Sequence, residues 1–242
     1  DESIVIPSRH LGLSIDETFC FDAFADRVAE VIDKTVNVDR LLELCTVEFS
    51  GEQTEGVICS GNRKIAIARD EAFNFMYREN VEALKRAGEV VFFSPLRDKS
   101  LPEADMVYFP GGYPELHLAE LATNEGMRQS VRKYCETGGR VLAECGGMMY
   151  LCDTITGDDG KVYPMVGVLK QGATMEQMKL KLGYREVRVN GQRIRGHEFH
   201  YSRILPTNEK IPVIGTIYNA KDMVVDTPVY TYKNVLASYI HF

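Results

Sequence analysis

The segment Val141-Leu142-Ala143-Glu144-Cys145-Gly146-Gly147-Met148-Met149-Tyr150-Leu151 decides the fold, because an apolar strand leads directly into a cysteine, two glycines and an apolar helix. This strand–turn–helix order is typical of a nucleophile elbow, in which a strained turn presents a reactive side chain. The thiol of Cys145 would lie at a helix N-terminus, whose partial positive charge favours a thiolate. Backbone N–H groups of the same turn would be able to bind an oxyanion. A buried structural cysteine ahead of a tight turn is the alternative interpretation.

Alternating strands and helices flank this segment. The pattern predicts short apolar strands at 65–68, 90–95, 106–109 and 140–144. It predicts helices at 80–87, 114–121, 125–136 and 146–152. Later in the chain it predicts strands at 165–169, 183–189, 213–218, 229–232 and 235–240. Continuous apolar strands between helices indicate an α/β fold with a mostly parallel sheet and helices on both faces.

The first sixty residues have a different character. A helical repeat at 16–34 and a short helix at 38–44 precede a polar stretch at 50–56 that is typical of a linker. We therefore expect an N-terminal helical segment over residues 1–60 and a separate domain over residues 61–242.

The composition excludes several classes of protein. The 242 residues include 28 Lys and Arg against 35 Asp and Glu, a net charge of −7, which argues against a nucleic-acid partner. No apolar run reaches the roughly 20 residues of a membrane span, and no signal peptide opens the chain. Six cysteines without a CxxC pair fit neither a zinc site nor a disulfide framework, so we expect no metal and a cytoplasmic location. Because the chain starts at Asp1 without a Met, we expect a longer parent protein.

A second glycine-rich turn is the candidate partner of the elbow. The predicted strand 106–109 runs into Pro110-Gly111-Gly112-Tyr113-Pro114, at the edge where parallel sheets bind ligands. This turn would supply a second oxyanion donor, although an ordinary strand–helix turn would have the same sequence. A cysteine nucleophile also needs a base, and the candidates are His10, His117, His197, His200 and His241. The pattern alone does not choose among them, and each could be structural.

Taken together, these motifs resemble the glutaminase domain of cobyrinic acid a,c-diamide synthases, which are class I (triad-type) glutamine amidotransferases with a flavodoxin-like fold. The matching segments lie in family order between residues 64 and 242. They are 66–75, 92–96, 110–116, 143–151, 182–186, 195–202 and 237–241. The opening stretch 6–13 resembles the end of the ATP-dependent synthetase domain of the same family. The resemblance therefore implies that residues 1–60 are the C-terminal tail of that domain plus a linker, and that residues 61–242 are the glutamine amidotransferase domain.

The resemblance implies a role for each site residue. Cys145 would attack the side-chain amide of glutamine, and His241 would activate the thiol and protonate the leaving ammonia. Backbone N–H groups near Gly112 and Gly146 would form the oxyanion hole. We also expect Gly111, Tyr113 and His200 to contribute to glutamine binding.

The resemblance also implies partners that this chain does not contain. The family passes ammonia to a synthetase domain, where ATP and Mg²⁺ activate the a and c carboxylates of a corrinoid. No G-x-x-x-x-G-K-[ST] phosphate loop occurs in the 242 residues, so we expect ATP and Mg²⁺ to bind in a missing half and no cofactor to bind here.

Two departures and three alternatives stay open. Many class I amidotransferases carry a Glu two residues beyond the histidine, and this chain ends before that position, so Glu198 or another acid would have to replace it. Ala143 stands where relatives often have Gly. The alternatives are the same role on nickel-sirohydrochlorin, a non-catalytic interaction module, and a cysteine peptidase or deglycase with a similar elbow.

Overall fold

The computed structural model describes residues 4–5, 8–9, 12–13, 20–47 and 62–242. The chain divides into two compact units, residues 1–57 and residues 58–242. The start of the first predicted helix, at 16–19, and the predicted linker at 50–56 lie outside the described residues.

The first unit holds short strands and two amphipathic helices. Strands β1 (Ser8–Arg9) and β2 (Gly12–Leu13) pair antiparallel. Helices α1 (Phe21–Thr35) and α2 (Val38–Cys45) follow, and the Asn37 side chain accepts a hydrogen bond from the N–H of Arg40 to cap α2. No side chain of α1 or α2 is buried.

The second unit begins with alternating strands and helices. Its first elements are β3 (Lys64–Ala68), α3 (Arg78–Ala87), β4 (Glu89–Phe93), β5 (Met106–Phe109), a 3₁₀ turn (Pro114–Leu116), α4 (Leu118–Thr123), α5 (Glu125–Glu136), β6 (Arg140–Glu144) and α6 (Gly146–Leu151). Mostly strands follow: β7 (Cys152–Thr156), β8 (Val162–Pro164), β9 (Leu169–Thr174), β10 (Lys181–Val189), β11 (Gln192–His200), β12 (Arg203–Ile204), β13 (Val213–Ile214), β14 (Thr216–Asn219), β15 (Val229–Tyr232), β16 (Val235–Ser238) and β17 (Ile240–His241). Among the described residues, no helix combines the length and the apolar character needed to cross a bilayer.

A seven-stranded sheet organises this unit. Its strand order is β13-β15-β16-β6-β5-β3-β4, and the five strands from β16 to β4 are parallel. In chain order those five strands run 2-1-3-4-5 across the sheet, which is the flavodoxin-like order. Residues 65–68 of β3 are buried without alternation, as expected for a strand covered on both faces. The predicted α/β fold with a mostly parallel sheet is confirmed.

Several predicted elements differ in detail from the structure. The predicted strand 165–169 is wrong, because the regular strand begins at Leu169. Met165, Val166 and Val168 are buried instead in an irregular segment that hydrogen-bonds to the backbone of residues 150–153. The predicted helix 114–121 is interrupted at His117, whose φ of −129° is not helical. The predicted strand 213–218 is divided at Gly215.

Two smaller four-stranded sheets complete the unit. One has the order β14-β10-β11-β17 and the other β12-β9-β7-β8. The predicted strand 235–240 takes part in two sheets, because β16 belongs to the parallel sheet while β17 pairs with β11. The chain thus leaves the parallel sheet just before His241 and carries that residue to the neighbouring sheet.

Candidate functional site

Cys145 occupies a sharp turn between β6 and α6. Its backbone has φ 46° and ψ −107°, a combination that residues with a side chain seldom adopt. The turn is fixed from both sides, since the Cys145 N–H donates to the Ser238 carbonyl at 2.7 Å and the Cys145 carbonyl accepts from the Met149 N–H at 3.0 Å. The expected elbow geometry is present.

The two glycines after Cys145 are required by close packing. A Cβ atom on Gly146 would lie 2.7 Å from Cδ of Pro114, and one on Gly147 would lie 2.4 Å from the carbonyl oxygen of Phe109. The turn therefore packs directly on the end of β5 and on the loop that follows it.

The thiol of Cys145 is buried and protonated near neutral pH. Only 7% of the residue is exposed, and Sγ lies 3.9 Å from the carbonyl oxygen of Phe199, its hydrogen-bond acceptor. Burial and the charge of Glu115 raise the pKa of the thiol to about 12, and the N–H of Gly146 opposes this shift. The sequence led us to expect a thiolate favoured by the helix N-terminus; here burial outweighs that effect, so the thiol needs a base.

His241 lies in a pocket of aromatic and small residues. Its ring stacks on His197, with centroids 4.9 Å apart, and meets the ring of Phe75 edge-on at 4.7 Å. A Cβ atom on Gly111 would lie 2.4 Å from Cε1 of His241, so the imidazole rests directly on that glycine. Its Nδ1 is buried without a hydrogen-bond partner and lies 3.7 Å from Oε2 of Glu144.

The backbone brings Cys145 and His241 to the same edge of the parallel sheet. Strands β6 and β16 are parallel neighbours in which Glu144 and Ser238 are register partners. Cys145 directly follows Glu144 in the chain, and His241 lies three residues after Ser238. This is the carboxyl edge, where parallel α/β sheets place their ligand sites.

The Gly111–Gly112 loop packs against both residues. Gly112 has φ 152°, and a Cβ atom there would lie 2.2 Å from the Ala72 carbonyl oxygen, so the position requires glycine. The Gly112 carbonyl oxygen lies only 3.2 Å from the place where a Cβ of Gly146 would be. The two predicted oxyanion-hole glycines are thus brought together.

Tyr113 and Glu115 extend this loop toward the nucleophile. Burial, the charge of Glu115 and the nearby Cys145 raise the pKa of the Tyr113 hydroxyl. Desolvation of the half-buried Glu115 raises the pKa of its carboxyl to about 7. Tyr113 was among the predicted binding residues, whereas Glu115 was not singled out.

His200 lies in a separate buried network. Its Nε2 faces Oε1 of Glu198 at 2.7 Å, and its Nδ1 faces the carbonyl oxygen of Ser202 at 2.7 Å. Both ring nitrogens therefore meet acceptors, an arrangement that a doubly protonated imidazolium satisfies. A direct bond from His200 to glutamine would require one of these contacts to break.

Glu198 is the centre of that network. Its carboxylate also accepts from Nε of Arg185 at 2.6 Å and from Oγ1 of Thr227 at 2.7 Å. Burial alone would raise the pKa of Glu198, but the hydrogen bonds from His200 and Thr227 and the charge of Arg185 lower it to about 2. Within the described part of the chain, Glu198 makes no hydrogen bond or ion pair to His241.

Glu144 is the residue whose position the sequence did not reveal. It ends an apolar strand and is 2% exposed. Its carboxylate accepts hydrogen bonds from the Tyr108 hydroxyl and from the N–H of Phe242, one on each oxygen. The signal in the sequence was a lone carboxylate in a buried strand immediately before the nucleophile. Among the described residues, no group of three or more metal-ligating side chains converges.

Comparison with known proteins agrees with this geometry. The chain is 37% identical to a hydrogenobyrinate a,c-diamide synthase of Pseudomonas aeruginosa, covering 98% of the chain and 54% of that protein. It is 33% identical to a cobyrinate a,c-diamide synthase of Salmonella typhimurium, covering 99% and 55%. It is 37% identical to a cobyrinate a,c-diamide synthase of Clostridium acetobutylicum, covering 100% and 56%. The chain thus spans about half the length of the curated relatives that it matches.

Solved structures show the same fold at low sequence identity. PurLQS from Thermotoga maritima superposes with a TM-score of 0.50 at 17% identity, covering 75% of this chain and 88% of that one. A glutamine amidotransferase from Thermotoga maritima superposes with a TM-score of 0.51 at 11% identity, covering 75% and 76%. Residues 64–242 match the CobB/CobQ-like glutamine amidotransferase domain, and the chain belongs to that family.

Proposed function

We propose that residues 58–242 form a glutaminase that releases ammonia from glutamine through a thioester on Cys145. The observation that carries this proposal is the elbow itself: a buried thiol in a strained turn, beside the end of β16 that lies three residues before His241, and against the Gly111–Gly112 loop. Family membership supports the same reaction.

The reaction steps follow from the protonated thiol of Cys145, which must lose its proton to a base in order to attack. The Cys145 proton moves to Nε2 of His241 as Sγ attacks the side-chain carbonyl carbon of glutamine. The resulting oxyanion would be met by backbone N–H groups of the turns at Gly112 and Gly146. The C–N bond then breaks, the proton on His241 goes to the departing nitrogen, and ammonia leaves. Water hydrolyses the thioester, which yields glutamate and restores the thiol.

A mechanism-based label tests this assignment. A diazoketone analogue of glutamine should modify the chain once, at Cys145, and the Cys145→Ala variant should not be labelled. Cys152→Ala is the matched control, because Cys152 is also a buried thiol whose pKa burial raises to about 12. We expect labelling of that variant to match the wild type, as mapped by peptide mass spectrometry. Labelling at another cysteine would contradict the proposal.

For the parent protein, we propose that this ammonia amidates the a and c carboxylates of a corrinoid. The named relatives are a,c-diamide synthases of cobyrinate or hydrogenobyrinate, and this chain spans 54–56% of their length. The remaining length would hold an ATP- and Mg²⁺-dependent synthetase domain. In a synthase that carries this chain, Cys145→Ala should abolish glutamine-dependent diamide formation, while ammonium salts should still support it. Diamide formation from glutamine by that variant would contradict the proposal.

A further inference from the structure

His241 has an unsatisfied buried nitrogen. To take a proton from the thiol, the neutral imidazole must offer an unprotonated Nε2, and so it must carry its proton on Nδ1. Nδ1 is buried and has no hydrogen-bond partner within the described residues. A buried donor without an acceptor is costly, and it leaves the choice of tautomer undetermined.

Glu144 is placed to accept a hydrogen bond from the Nδ1–H group of His241. Its Oε2 lies 3.7 Å from Nδ1 of His241, and both side chains are almost completely buried. Closing the gap to a hydrogen bond of about 2.8–3.0 Å requires a shift of less than about 1 Å.

The carboxylate of Glu144 is itself fixed by two donors. Oε2 accepts from the Tyr108 hydroxyl at 2.7 Å, and Oε1 accepts from the backbone N–H of Phe242 at 3.2 Å. An ionised carboxylate has about four acceptor positions, so a third donor can be accommodated. Burial and the charge of Glu144 raise the pKa of Tyr108 far above its ordinary value, and its hydroxyl therefore remains a donor.

Glu198, another buried acid, is engaged elsewhere. The oxygens of Glu198 accept hydrogen bonds from His200, Arg185 and Thr227. Glu198 therefore holds its own network together. Glu144, in contrast, directly precedes Cys145 in the chain and accepts a hydrogen bond from the N–H of Phe242, the residue after His241.

We infer that Glu144 is the acid that orients His241, so that Cys145, His241 and Glu144 act as the triad of this site. The inference rests on the proposed glutaminase function and assigns its positioning residue. This acid is the residue before the nucleophile, at the end of β6, and it lies close to the base in β17.

Replacing Glu144 with Gln tests the tautomer directly. If the amide oxygen stays on the Phe242 N–H, the NH₂ group faces Nδ1, which must then accept a hydrogen bond and leave the proton on Nε2. If the amide is turned, its NH₂ group opposes the Phe242 N–H. In either arrangement the base is misprotonated or displaced. We expect the maximal labelling rate by the diazoketone to fall by about 100-fold, against the roughly 10⁴-fold loss for the corresponding change in a serine protease. The half-saturating concentration should change by less than about threefold.

A pH profile separates positioning from structural damage. Among the described residues, the ionisable groups in contact with His241 are Glu144 from β6 and His197 from β11, while Tyr108 bonds to Glu144 and Tyr77 bonds to His197. An imidazolium beside a neutral amide is less stable than one beside a carboxylate, so the acid limb of the labelling profile should move to lower pH by about one unit in Glu144→Gln. In Glu198→Gln, a change at a buried carboxylate that does not contact His241, the acid limb should stay in place even though the protein is less stable.

A measurement on the wild type covers the case in which Glu144→Gln does not fold. ¹⁵N NMR of histidine-labelled protein, with the His241 signals identified by comparison with His241→Gln, should show a neutral ring protonated on Nδ1. A ring protonated on Nε2 would overturn the inference, as would wild-type rate and pH profile in Glu144→Gln. If the wild type is not labelled at Cys145, the proposed function fails, and the NMR result still decides the Glu144–His241 contact.

Discussion

At Cys145 the chain holds a reactive group in a conformation of high energy. A non-glycine residue with such dihedral angles costs about 1–3 kcal/mol. The hydrogen bond to Ser238 and the close packing of Gly146 on Pro114 keep it there. The thiol is thereby oriented before any substrate arrives, which lowers the entropic cost of reaching the attack geometry.

Glu115 makes a second unfavourable contribution to the free energy of folding at the same site. Desolvation raises the pKa of its carboxyl from 4.5 to about 7, so the folded protein holds this proton more tightly than the unfolded chain does. The stabilising effect of that proton is fully present below pH 4.5 and is lost as the pH rises through about 7. Above pH 7 the charged carboxylate both destabilises the fold and opposes formation of the Cys145 thiolate.

We therefore predict that Glu115→Gln stabilises the protein selectively at high pH. Between pH 5 and pH 8 the free energy of unfolding of the wild type should fall by about 1–2 kcal/mol relative to that of the variant. Urea denaturation of both proteins at pH 5 and pH 8 gives the four free energies of unfolding. The change with pH in the wild type minus the change in the variant isolates the contribution of Glu115, because the other titrating groups contribute equally to both proteins. Parallel changes in the two proteins would show that Glu115 is solvated as an ordinary surface carboxylate.

The candidate nucleophile was identifiable from a local pattern and the candidate base from the family resemblance, but the acid that we infer beside them was not. Cys145 and the two glycine pairs belong to local patterns, and a local pattern is visible in one stretch of chain. The role of Glu144 depends on where β17 passes after leaving the parallel sheet. Contacts between residues 97 positions apart are set by tertiary packing, which strand and helix periodicities do not encode.

At the scale of elements, the change of sheet between β16 and β17 is the feature that builds the site. The pattern predicts one strand over 235–240, because most of its residues are apolar. The structure interrupts it at Tyr239, where Oγ of Ser238 accepts the N–H of Ile240 at 3.2 Å and donates to the Pro228 carbonyl at 3.0 Å. A side-chain hydroxyl thus replaces the ladder partner and lets the chain turn toward β11.

Two of the ion pairs that link β10 and β11 differ strongly in burial. At one end Arg185 bonds to Glu198, whose side chain is completely buried. At the other end Arg193 bonds to Glu186, and 60% of the Arg193 side chain is exposed. Breaking a buried pair leaves an uncompensated charge, whereas an exposed pair is screened by water.

We predict that Glu198→Ala lowers the free energy of unfolding by about 3–5 kcal/mol, because it leaves Arg185 and His200 buried without their acceptor. Arg193→Ala, at the other end of the same hairpin, should lower it by less than about 1 kcal/mol. Chemical denaturation of the two variants at neutral pH makes the comparison. Equal losses would mean that the Glu198 network contributes no more than a surface pair.

At the scale of the whole molecule, the buried core of the described residues lies in the second unit. Every buried apolar residue of the described chain lies between Ile65 and Ile240. Helices α1 and α2 bury no side chain and expose apolar residues, among them Phe21, Leu42 and Leu44. Helices of 15 and 8 residues without a packed face are marginal in water.

This distribution of the core predicts opposite effects for two deletions. A chain that begins at residue 62 should keep the free energy of unfolding of the 242-residue chain within about 0.5 kcal/mol, because no buried apolar residue of the described chain is lost. A chain that ends at residue 238 loses only four residues, but these include Ile240, which is fully buried, and the N–H that holds Glu144. Loss of one buried Ile side chain alone costs about 2–5 kcal/mol, so the shorter deletion should be the more damaging one. Urea denaturation of the three chains tests the order, and a large loss in the chain that begins at residue 62 would show that the N-terminal unit contributes to the stability of the glutamine amidotransferase domain.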